Sequence, residues 1–295
     1  MSHQSNSIRH DFSQTLDSVR QWSQEAKENI EKKAAVETRE LFLPGFEIGV
    51  FPNHLNRSSL FAPIARGHRK FHRKTIMVTR RDCILEYTGE QMDEADADLM
   101  MALIFFAQPF PFGSNVPLNR ARLLRKIERN TGKGDYEWLH RRMKAMTEAT
   151  FFLEATKPDG TTRYTIGKTK TLRIIAEFDF DGGKYSYKLD PRWVTMFGNK
   201  EYSLTNWEKR MWIKRGHEMA KTMERLVATS NETVQRFALE WLKRKMEYTS
   251  PMRKFRNALD VACEELARVE IITTHKIEIS TKGNPQLTIW KSLSG

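Results

Sequence analysis

Two short patterns in the chain combine residue types that bind phosphate or metal in other proteins. Gly167-Lys168-Thr169 has the form of the end of a phosphate-binding loop, but Thr162 stands where that motif needs a glycine. His68 and His72 have the four-residue spacing of a zinc-protease helix, without the intervening glutamate that acts as the base. We therefore expect neither a nucleotide site nor a metal site at these positions.

Other catalytic signals are also missing from the sequence. Cys83 and Cys263 lie far apart and outside any catalytic or zinc-binding motif, as is typical of free thiols in a reducing cytoplasm. The Gly-x-Ser-x-Gly motif of many hydrolases does not occur, and no spaced set of carboxylates indicates a metal cluster. The sequence therefore predicts a protein that is not an enzyme and that binds no cofactor and no metal.

Charge gives the clearest indication of a partner. The chain has 49 Lys and Arg against 37 Asp and Glu, a net charge of +12. Two segments, Asn119–Met146 with a net charge of +6 and Arg236–Arg256 with +5, carry most of this excess. A third basic run, Arg66–Arg81, holds seven Lys and Arg and no acid. Basic stretches of this kind favour a polyanionic partner, first of all nucleic acid.

The chain shows no signal for a membrane. Residues Met1–Arg20 have no apolar core of a signal peptide, and the longest apolar run, Leu99–Ala107, is about half the length that spans a bilayer. We expect a cytoplasmic protein without membrane contact.

The elements that position the basic segments follow from hydrophobic periodicity and turn residues. In the first half, acids at Asp93–Asp98 begin a helix, a basic helix follows at Leu118–Arg129, and a third runs from Asp135 to Ala149. Runs rich in β-formers then extend from Phe151 to Leu189. Three helices followed by a β-hairpin indicate a winged helix, a variant of the helix-turn-helix.

The second half repeats this pattern. Helices are predicted at Trp207–Thr229, with a break at Gly216, at Glu232–Met246 and at Ser250–Val269. Strands at Glu270–Ile279 and Gln286–Trp290 follow. The predicted fold class is α+β, with two tandem winged-helix domains. We assign a flexible N-terminal tail to residues 1–40, a basic lead-in segment to 41–82, and the two domains to 83–200 and 201–295.

The last helix of the second domain has the pattern of a recognition helix. Phe255, Leu259, Cys263 and Leu266 recur at helical spacing and predict a buried stripe. Ser250 is the expected N-cap, with Pro251 at the first helical position. Arginine recognises guanine and asparagine recognises adenine in the major groove. The candidate DNA-binding residues of this helix, which lie away from the stripe or at its start, are Ser250, Arg253, Lys254, Arg256 and Asn257.

The first domain supplies a second set of DNA-binding candidates. Lys133, Arg141, Arg142 and Lys144 belong to its third helix, where they are expected to contact DNA. Arg163 and Lys168 lie along the predicted hairpin, where they would contact the phosphate backbone.

The chain from about Leu41 to Trp290 resembles the TrfA-type replication initiators of broad-host-range bacterial plasmids. The most specific match is the run Arg253–Leu266, with a basic-aromatic-basic start and an Ala-Cys-Glu-Glu-Leu end. Supporting pieces are Arg57–Phe61, Tyr87–Gly89 and Met196–Tyr202.

This resemblance implies a plasmid replication initiator that binds iteron repeats and opens the origin duplex. It also implies recruitment of the host initiator, the replicative helicase and the sliding clamp, and a monomer–dimer equilibrium that controls copy number. Family members carry a clamp-binding pentapeptide of Gln-Leu-Ser-Leu-Phe type before the first domain. Leu41 and Phe42 match its end, whereas its leading Gln is absent from this chain.

Three other functions remain open from the residues alone. A winged-helix transcription regulator would use the same DNA-binding surface. An enzyme that processes nucleic acid, such as a nuclease or relaxase, and a partitioning protein that binds centromere-like repeats are the alternatives from other classes.

Overall fold

The structure is a computed structural model that describes residues 48–64, 69–111, 113–157, 159–167, 171–181, 184–198 and 201–292. These residues all lie within one compact unit, Pro44–Gly295. The predicted tail of residues 1–40, together with Leu41, Phe42 and Lys168 among the predicted site residues, lies outside the described residues.

The described part of the chain has a mixed α/β architecture. Its helices are α1 (Asn53–Asn56), α2 (Glu94–Ala107), α3 (Arg120–Lys126), α4 (Lys133–Glu148), α5 (Val194–Gly198), α6 (Trp207–Trp212), α7 (Glu218–Val227), α8 (Leu239–Lys245) and α9 (Met252–Arg268). Its strands are β1 (Ile48–Pro52), β2 (Phe71–Ile76), β3 (Cys83–Glu90), β4 (Val116–Pro117), β5 (Thr150–Thr156), β6 (Thr162–Ile166), β7 (Ile175–Asp181), β8 (Lys184–Leu189), β9 (Tyr202–Asn206), β10 (Val234–Ala238), β11 (Ile272–Ile279) and β12 (Pro285–Lys291).

Two segments of the chain have the same order of elements. We call residues 94–189, from α2 to β8, the first repeat, and residues 218–291, from α7 to β12, the second repeat. Each begins with a helix, a strand and two further helices, and each ends with two strands that pair as a hairpin. The three strands have the same spatial order, β4-β8-β7 in the first repeat and β10-β12-β11 in the second. Both repeats therefore share one topology.

The first repeat carries an additional hairpin between its last helix and its final strands. Strands β5 and β6 leave the repeat and join β2 and β3 in a four-stranded antiparallel sheet of order β2-β3-β5-β6. A separate two-stranded sheet joins β1 to β9. The N-terminal strands are thus built into the same unit as the repeats.

The last helix of each repeat buries the same pattern of side chains. Leu139, Met143 and Met146 of α4 are buried, and in α9 Leu259, Cys263 and Leu266 are buried with identical spacing. Phe255 completes the predicted stripe of α9, which packs into the core of the second repeat. The helical spacing predicted this stripe, and the structure confirms it.

The start of α2 also follows its sequence signal. The Asp93 carboxylate accepts a hydrogen bond from the Asp96 amide at 3.0 Å, and the Asp96 carboxylate accepts one from the Asp93 amide at 3.0 Å. This reciprocal pair satisfies amides that the first turn of a helix leaves free. The acidic run therefore fixes where α2 begins.

One helix prediction was wrong. The expected helix Glu232–Met246 is a strand, β10, followed by the short helix α8. Residues Val234–Ala238 alternate between less and more buried positions and pair with β12. Pairing with β12 satisfies the backbone of this stretch, and such tertiary contacts override the weak helix propensity of its residues.

A buried ionic cluster connects α2 to the second repeat. Arg210 of α6 is fully buried and donates hydrogen bonds to Asp98 at 2.7 Å, to Glu94 at 3.0 Å and to Glu224. Arg225 of α7 donates to Glu94 from the other side. Burial alone would raise the pKa of Glu94, but Arg225 and Arg210 outweigh it and hold that pKa below its ordinary value. The two guanidinium groups therefore favour the charged form of Glu94, whereas burial raises the pKa of Glu224 despite its contact with Arg210.

Candidate nucleic-acid interface

The exposed face of α9 carries the polar side chains that the sequence placed there. Arg253, Lys254 and Asn257 are exposed, opposite the buried stripe. Arg256 differs from them because it is partly buried, and its Nε has no hydrogen-bond partner within the described residues. The structure thus presents two cations and one amide on one face of the helix.

The start of α9 lies one residue later than predicted. Pro251, rather than Ser250, is the N-cap residue, and the Pro251 carbonyl accepts the Phe255 amide at 3.1 Å. No side chain caps the first turn within the described structure, so Ser250 does not have its predicted role. Uncapped amides at a helix N-terminus, next to Arg253 and Lys254, form a positive end that suits a phosphate group.

The strands that follow α9 carry two exposed lysines. His275 of β11 hydrogen-bonds the Asp260 carboxylate of α9 at 2.5 Å, which fixes the hairpin against the helix. Lys276 has a side chain that is 65% exposed, and Lys282 is exposed in the turn between β11 and β12. These lysines are not among the predicted site residues, although Lys276 lies in the predicted strand and Lys282 in the predicted turn.

Helix α8 lies beside the basic lead-in strand β2. An open groove of about 350 Å³ separates them, and Lys70, His72, Lys243, Arg244, Glu247 and Tyr248 are among its lining residues. Burial lowers the pKa of His72, although Glu247 opposes this effect. Glu240 also lines the groove, so the cations Lys70, Lys243 and Arg244 are offset in part by two carboxylates.

The predicted basic run of the lead-in segment divides into two groups. Arg69 binds Asp96 at 2.6 Å and also pairs with Asp93, so its guanidinium holds the start of α2. Arg73 and Lys74 of β2 are exposed. Lys70 and Arg81 are exposed as well, so these four cations of the described part of the run face solvent where a phosphate could approach.

In the first repeat, three of the four predicted cations of α4 are exposed. Lys133 and Lys144 form exposed pairs with Glu137 at 4.0 Å and Glu148 at 3.8 Å, one helical turn away. Arg141 is exposed between them along the helix. These side chains can reach a partner because solvent-exposed ion pairs are weak.

Arg142 lies on the opposite side of α4. It is only 3% exposed and donates to Asp96 at 2.6 Å and 3.0 Å, as well as to Glu90. Its guanidinium thus joins α4 to α2 and β3 inside the fold, and we leave it out of the candidate interface. The spacing in the sequence indicates that Arg142 is buried, because it lies three residues after Leu139 and four before Met146, on the buried face of α4.

The predicted phosphate-contact residue Arg163 lies in a different sheet from the one expected. It belongs to β6 of the four-stranded sheet rather than to the β7–β8 hairpin of the first repeat. There it pairs with Glu201, which also accepts from the Tyr164 hydroxyl and contacts His54. This network occupies the guanidinium, so we leave Arg163 out of the interface as well.

The β7–β8 hairpin of the first repeat is unlike its counterpart in charge. Glu177, Asp179 and Asp181 of β7 are exposed and alternate along the strand, so they share one face. Phe178 and Phe180 contact His140 of α4 on the other face. Lys184 and Lys188 of β8 lie across from Asp181 and Glu177, and Lys188 pairs with Glu177 at 3.4 Å. Carboxylates therefore outnumber lysines on this face, which makes the first hairpin less suited to phosphate than the second.

Metal and membrane signals are likewise lacking in what the structure describes. No group of three or more His, Cys, Asp or Glu residues in the described ranges is arranged to hold a metal ion. Within the same ranges, no helix has the length and apolar character needed to cross a membrane. Cys83 and Cys263 are free and buried, and burial raises the pKa of Cys263 to about 12.

Solved structures with a similar fold exist. No protein-family model matches the chain, and no curated protein matches its sequence. A crystal structure of domains 2 and 3 of RctB matches with a TM-score of 0.53 and 12% identity, over 79% of this chain and 95% of that chain. A second structure of RctB domains 2–3 has a TM-score of 0.47 and 13% identity, over 80% and 96%. At this identity the first match carries one conclusion: the chain has a fold similar to that of RctB domains 2 and 3.

Proposed function

We propose that the chain is a sequence-specific, double-stranded DNA-binding protein that initiates replication, and that each repeat is a winged helix. The observation that carries this proposal is the exposed face of α9, where Arg253, Lys254 and Asn257 stand opposite a fully buried stripe. A long helix with this composition matches the size of the major groove and the hydrogen-bonding chemistry of base edges.

The winged-helix interpretation rests on topology. Both repeats have a helix, a strand, two helices and two strands, with the first strand beside the third, and the first repeat has the β5–β6 hairpin inserted before its last two strands. This order supports the winged-helix interpretation. The β11–β12 hairpin would then be the wing of the second repeat. Helix α9 would enter the major groove while Lys276 and Lys282 contact the neighbouring backbone.

In this proposal, the remaining exposed basic residues also contact the DNA. The first helix of a helix-turn-helix crosses the DNA backbone, and here that helix is α8 with Lys243 and Arg244 at its end. Exposed Arg73 and Lys74 of β2 would extend this contact, since β2 lies across the groove from α8. Arg141, Lys133 and Lys144 of α4 would supply a second, weaker contact.

The replication role draws on two likenesses. RctB is the replication initiator of Vibrio chromosome II, and the sequence resembles TrfA-type plasmid initiators. We therefore propose that the DNA is a set of iterons at an origin. Binding would strain a neighbouring A·T-rich segment and help it open, because the energy of deforming DNA depends on its sequence. The proposal includes recruitment of the host initiator, helicase and sliding clamp, and monomer–dimer control.

A titration at two salt concentrations tests DNA recognition. The protein is titrated against a duplex with the direct repeats of its own replicon and against a scrambled duplex of the same composition. We expect a specificity ratio above roughly 10³ that persists at the higher salt concentration. Equal affinities that both collapse with salt would mean phosphate contacts alone and would overturn sequence-specific recognition.

One observation favours a second function, transcription regulation. The acidic face of β7 removes the wing contact from the first repeat, which leaves one complete recognition surface in the described chain. A single surface per chain suits a regulator that binds one operator half-site. Promoter assays without an origin, run beside plasmid-maintenance assays, distinguish the two functions.

We also propose that the chain catalyses no reaction on DNA. Metal-dependent nicking of supercoiled origin DNA would contradict this proposal.

A further inference from the structure

Helix α9 carries one apolar side chain on its polar face, Val261. We propose that Val261 contacts the 5-methyl group of a thymine in the bound duplex and thereby determines specificity at one base pair. This inference rests on the proposed function, because it requires α9 to lie in the major groove.

Position is the first argument. Val261 lies four residues after Asn257 and eight after Arg253, so the three side chains follow one line along the helix. It is 50% exposed. Successive residues of this line are about 6 Å apart along the helix axis, close to the length of two base-pair steps. Val261 would therefore meet a base within about two base pairs of the one that Asn257 contacts.

The fold itself does not account for this valine. Val261 is not among the described residues that form or pack against the hydrophobic core of the second repeat. A β-branched residue at an exposed helical position is also a poorer helix former than alanine or lysine. Its counterpart on α4, at the same position relative to the buried stripe, is the charged Arg141.

The neighbours of Val261 indicate which part of the DNA it would meet. Asp260 and Glu264 are exposed on the same side of α9, and their carboxylates repel phosphate. This stretch of the helix therefore suits base edges better than the backbone. His275 also holds Asp260 at 2.5 Å, which fixes the rotation of the helix relative to its hairpin.

Thymine is the base whose edge matches an aliphatic side chain. In the major groove only thymine presents a methyl group, whereas an asparagine amide bonds the N6 and N7 atoms of adenine. Val261 and Asn257 together would therefore select a thymine close to an adenine. Uracil lacks the methyl group and is otherwise the same base, which makes it a direct probe.

The experiment replaces thymine by uracil at one position at a time in a duplex that the wild-type protein selects from a randomised library. Affinity is measured for wild type, for Val261→Ala, and for Leu204→Ala, an exposed leucine on β9 that serves as control. We expect one thymine at which uracil weakens wild-type binding about fourfold, the effect of one buried methyl group. Val261→Ala loses this sensitivity at that position alone, and Leu204→Ala keeps it.

The outcomes separate this inference from the proposed function. If wild type selects no preferred duplex, sequence-specific DNA binding itself fails and the inference with it. If wild type binds a preferred duplex but Val261→Ala responds to every uracil as wild type does, only the role of Val261 is overturned. That role is also overturned if no single uracil substitution weakens wild-type binding.

Discussion

Glu128 and Glu247 have the same left-handed backbone conformation at the same place in the two repeats, with φ of 51° and 49°. Each follows the first helix of a helix pair, and each amide donates to a carbonyl three residues earlier, Arg125 at 3.1 Å and Arg244 at 3.0 Å. The next amide in each repeat donates back to Leu124 or Lys243. This bonding ends a helix in a tight turn, so α3 meets α4 in the same way that α8 meets α9.

Replacing Glu128 by glycine should stabilise the protein. A left-handed conformation strains a residue with a Cβ atom, whereas glycine adopts it freely. The greater freedom of glycine in the unfolded chain offsets part of this gain, so we expect an increase of about 0.5 to 1 kcal/mol. Urea unfolding followed by circular dichroism measures it.

Glu247→Gly is the matched comparison. The Glu247 carboxylate accepts a hydrogen bond from Gln91 at 2.6 Å and lies 3.5 Å from Lys70, so glycine removes side-chain contacts as well as strain. We expect a smaller gain than at Glu128, or a loss. A clear destabilisation by Glu128→Gly would contradict the assignment of the strain to this turn.

The ionic cluster around Arg210 should be essential for stability. Arg210→Met leaves the carboxylates of Glu94, Asp98 and Glu224 without their shared cation in a site closed to water. Breaking a buried pair in this way costs about 3 to 5 kcal/mol. The control is Lys133→Met, which breaks an exposed pair with Glu137 and should change stability by less than about 1 kcal/mol. Equal effects in denaturant unfolding would rule out this role of the cluster.

Lys245 should make stability depend on pH. It is fully buried in α8, and its Nζ has no hydrogen-bond partner in the part of the chain that the structure describes. Burial, with a smaller contribution from Arg225, lowers its pKa to about 7 from 10.5. Between these values the unfolded chain holds a proton that the folded protein lacks, so the stability of the wild type rises with pH from about 7 to 10.5.

Lys245→Met tests this window. Methionine never carries the charge, so the variant should be more stable than wild type at pH 7, by about 4 kcal/mol. The advantage should shrink as the pH approaches 10. Urea unfolding of both proteins at pH 7 and pH 9 measures it, and a difference that stays constant with pH would argue against a lowered pKa.

The parts of the fold that the sequence predicted are those with a local signal. The stripe of α9 is a helical period, and the start of α2 is a capping box, so both can be recognised within a few residues. Strand β10 could not be recognised because its pairing partner, β12, lies about fifty residues later. Likewise, no local pattern predicts that β5 and β6 join the sheet of β2 and β3, because this pairing is between strands that are remote in sequence.

The same distinction between local sequence signals and tertiary contacts applies to the candidate site. Arg253, Lys254 and Asn257 were predicted because their position opposite a clear apolar stripe fixes their exposure. Arg142 and Arg163 have the same residue type but find acidic partners, Asp96 and Glu201, that are remote in sequence. Residue type and net charge predict a basic surface, whereas the choice of individual cations depends on tertiary ion pairs.

Arg141 and Arg142 are adjacent in sequence, but we expect their replacement by alanine to have different effects on stability and DNA binding. Arg142→Ala removes a buried cation from Asp96 and Glu90, and we expect a loss of about 3 to 5 kcal/mol in the free energy of unfolding. Arg141→Ala removes an exposed side chain and should leave stability unchanged while it weakens DNA binding slightly. Thermal unfolding and a DNA titration of both variants decide this, and a stable Arg142→Ala would contradict its structural role.

The two hairpins should differ in their contribution to the salt dependence of DNA binding. Lys276 lies on the basic hairpin of the second repeat, whereas exposed Lys184 lies beside the acidic strand β7 of the first. Each phosphate contact contributes about 0.9 to the slope of log affinity against log salt concentration.

Lys276→Ala should therefore lower this slope by about 1 and weaken binding to all sequences equally, since a phosphate contact carries no sequence information. Lys184→Ala should leave the slope unchanged, because Lys184 lies across from Asp181 on a face where three carboxylates outnumber two lysines. Equal slopes for the two variants would mean that the hairpins contact DNA alike, or not at all, and would remove the basis for treating the second hairpin as a wing on DNA.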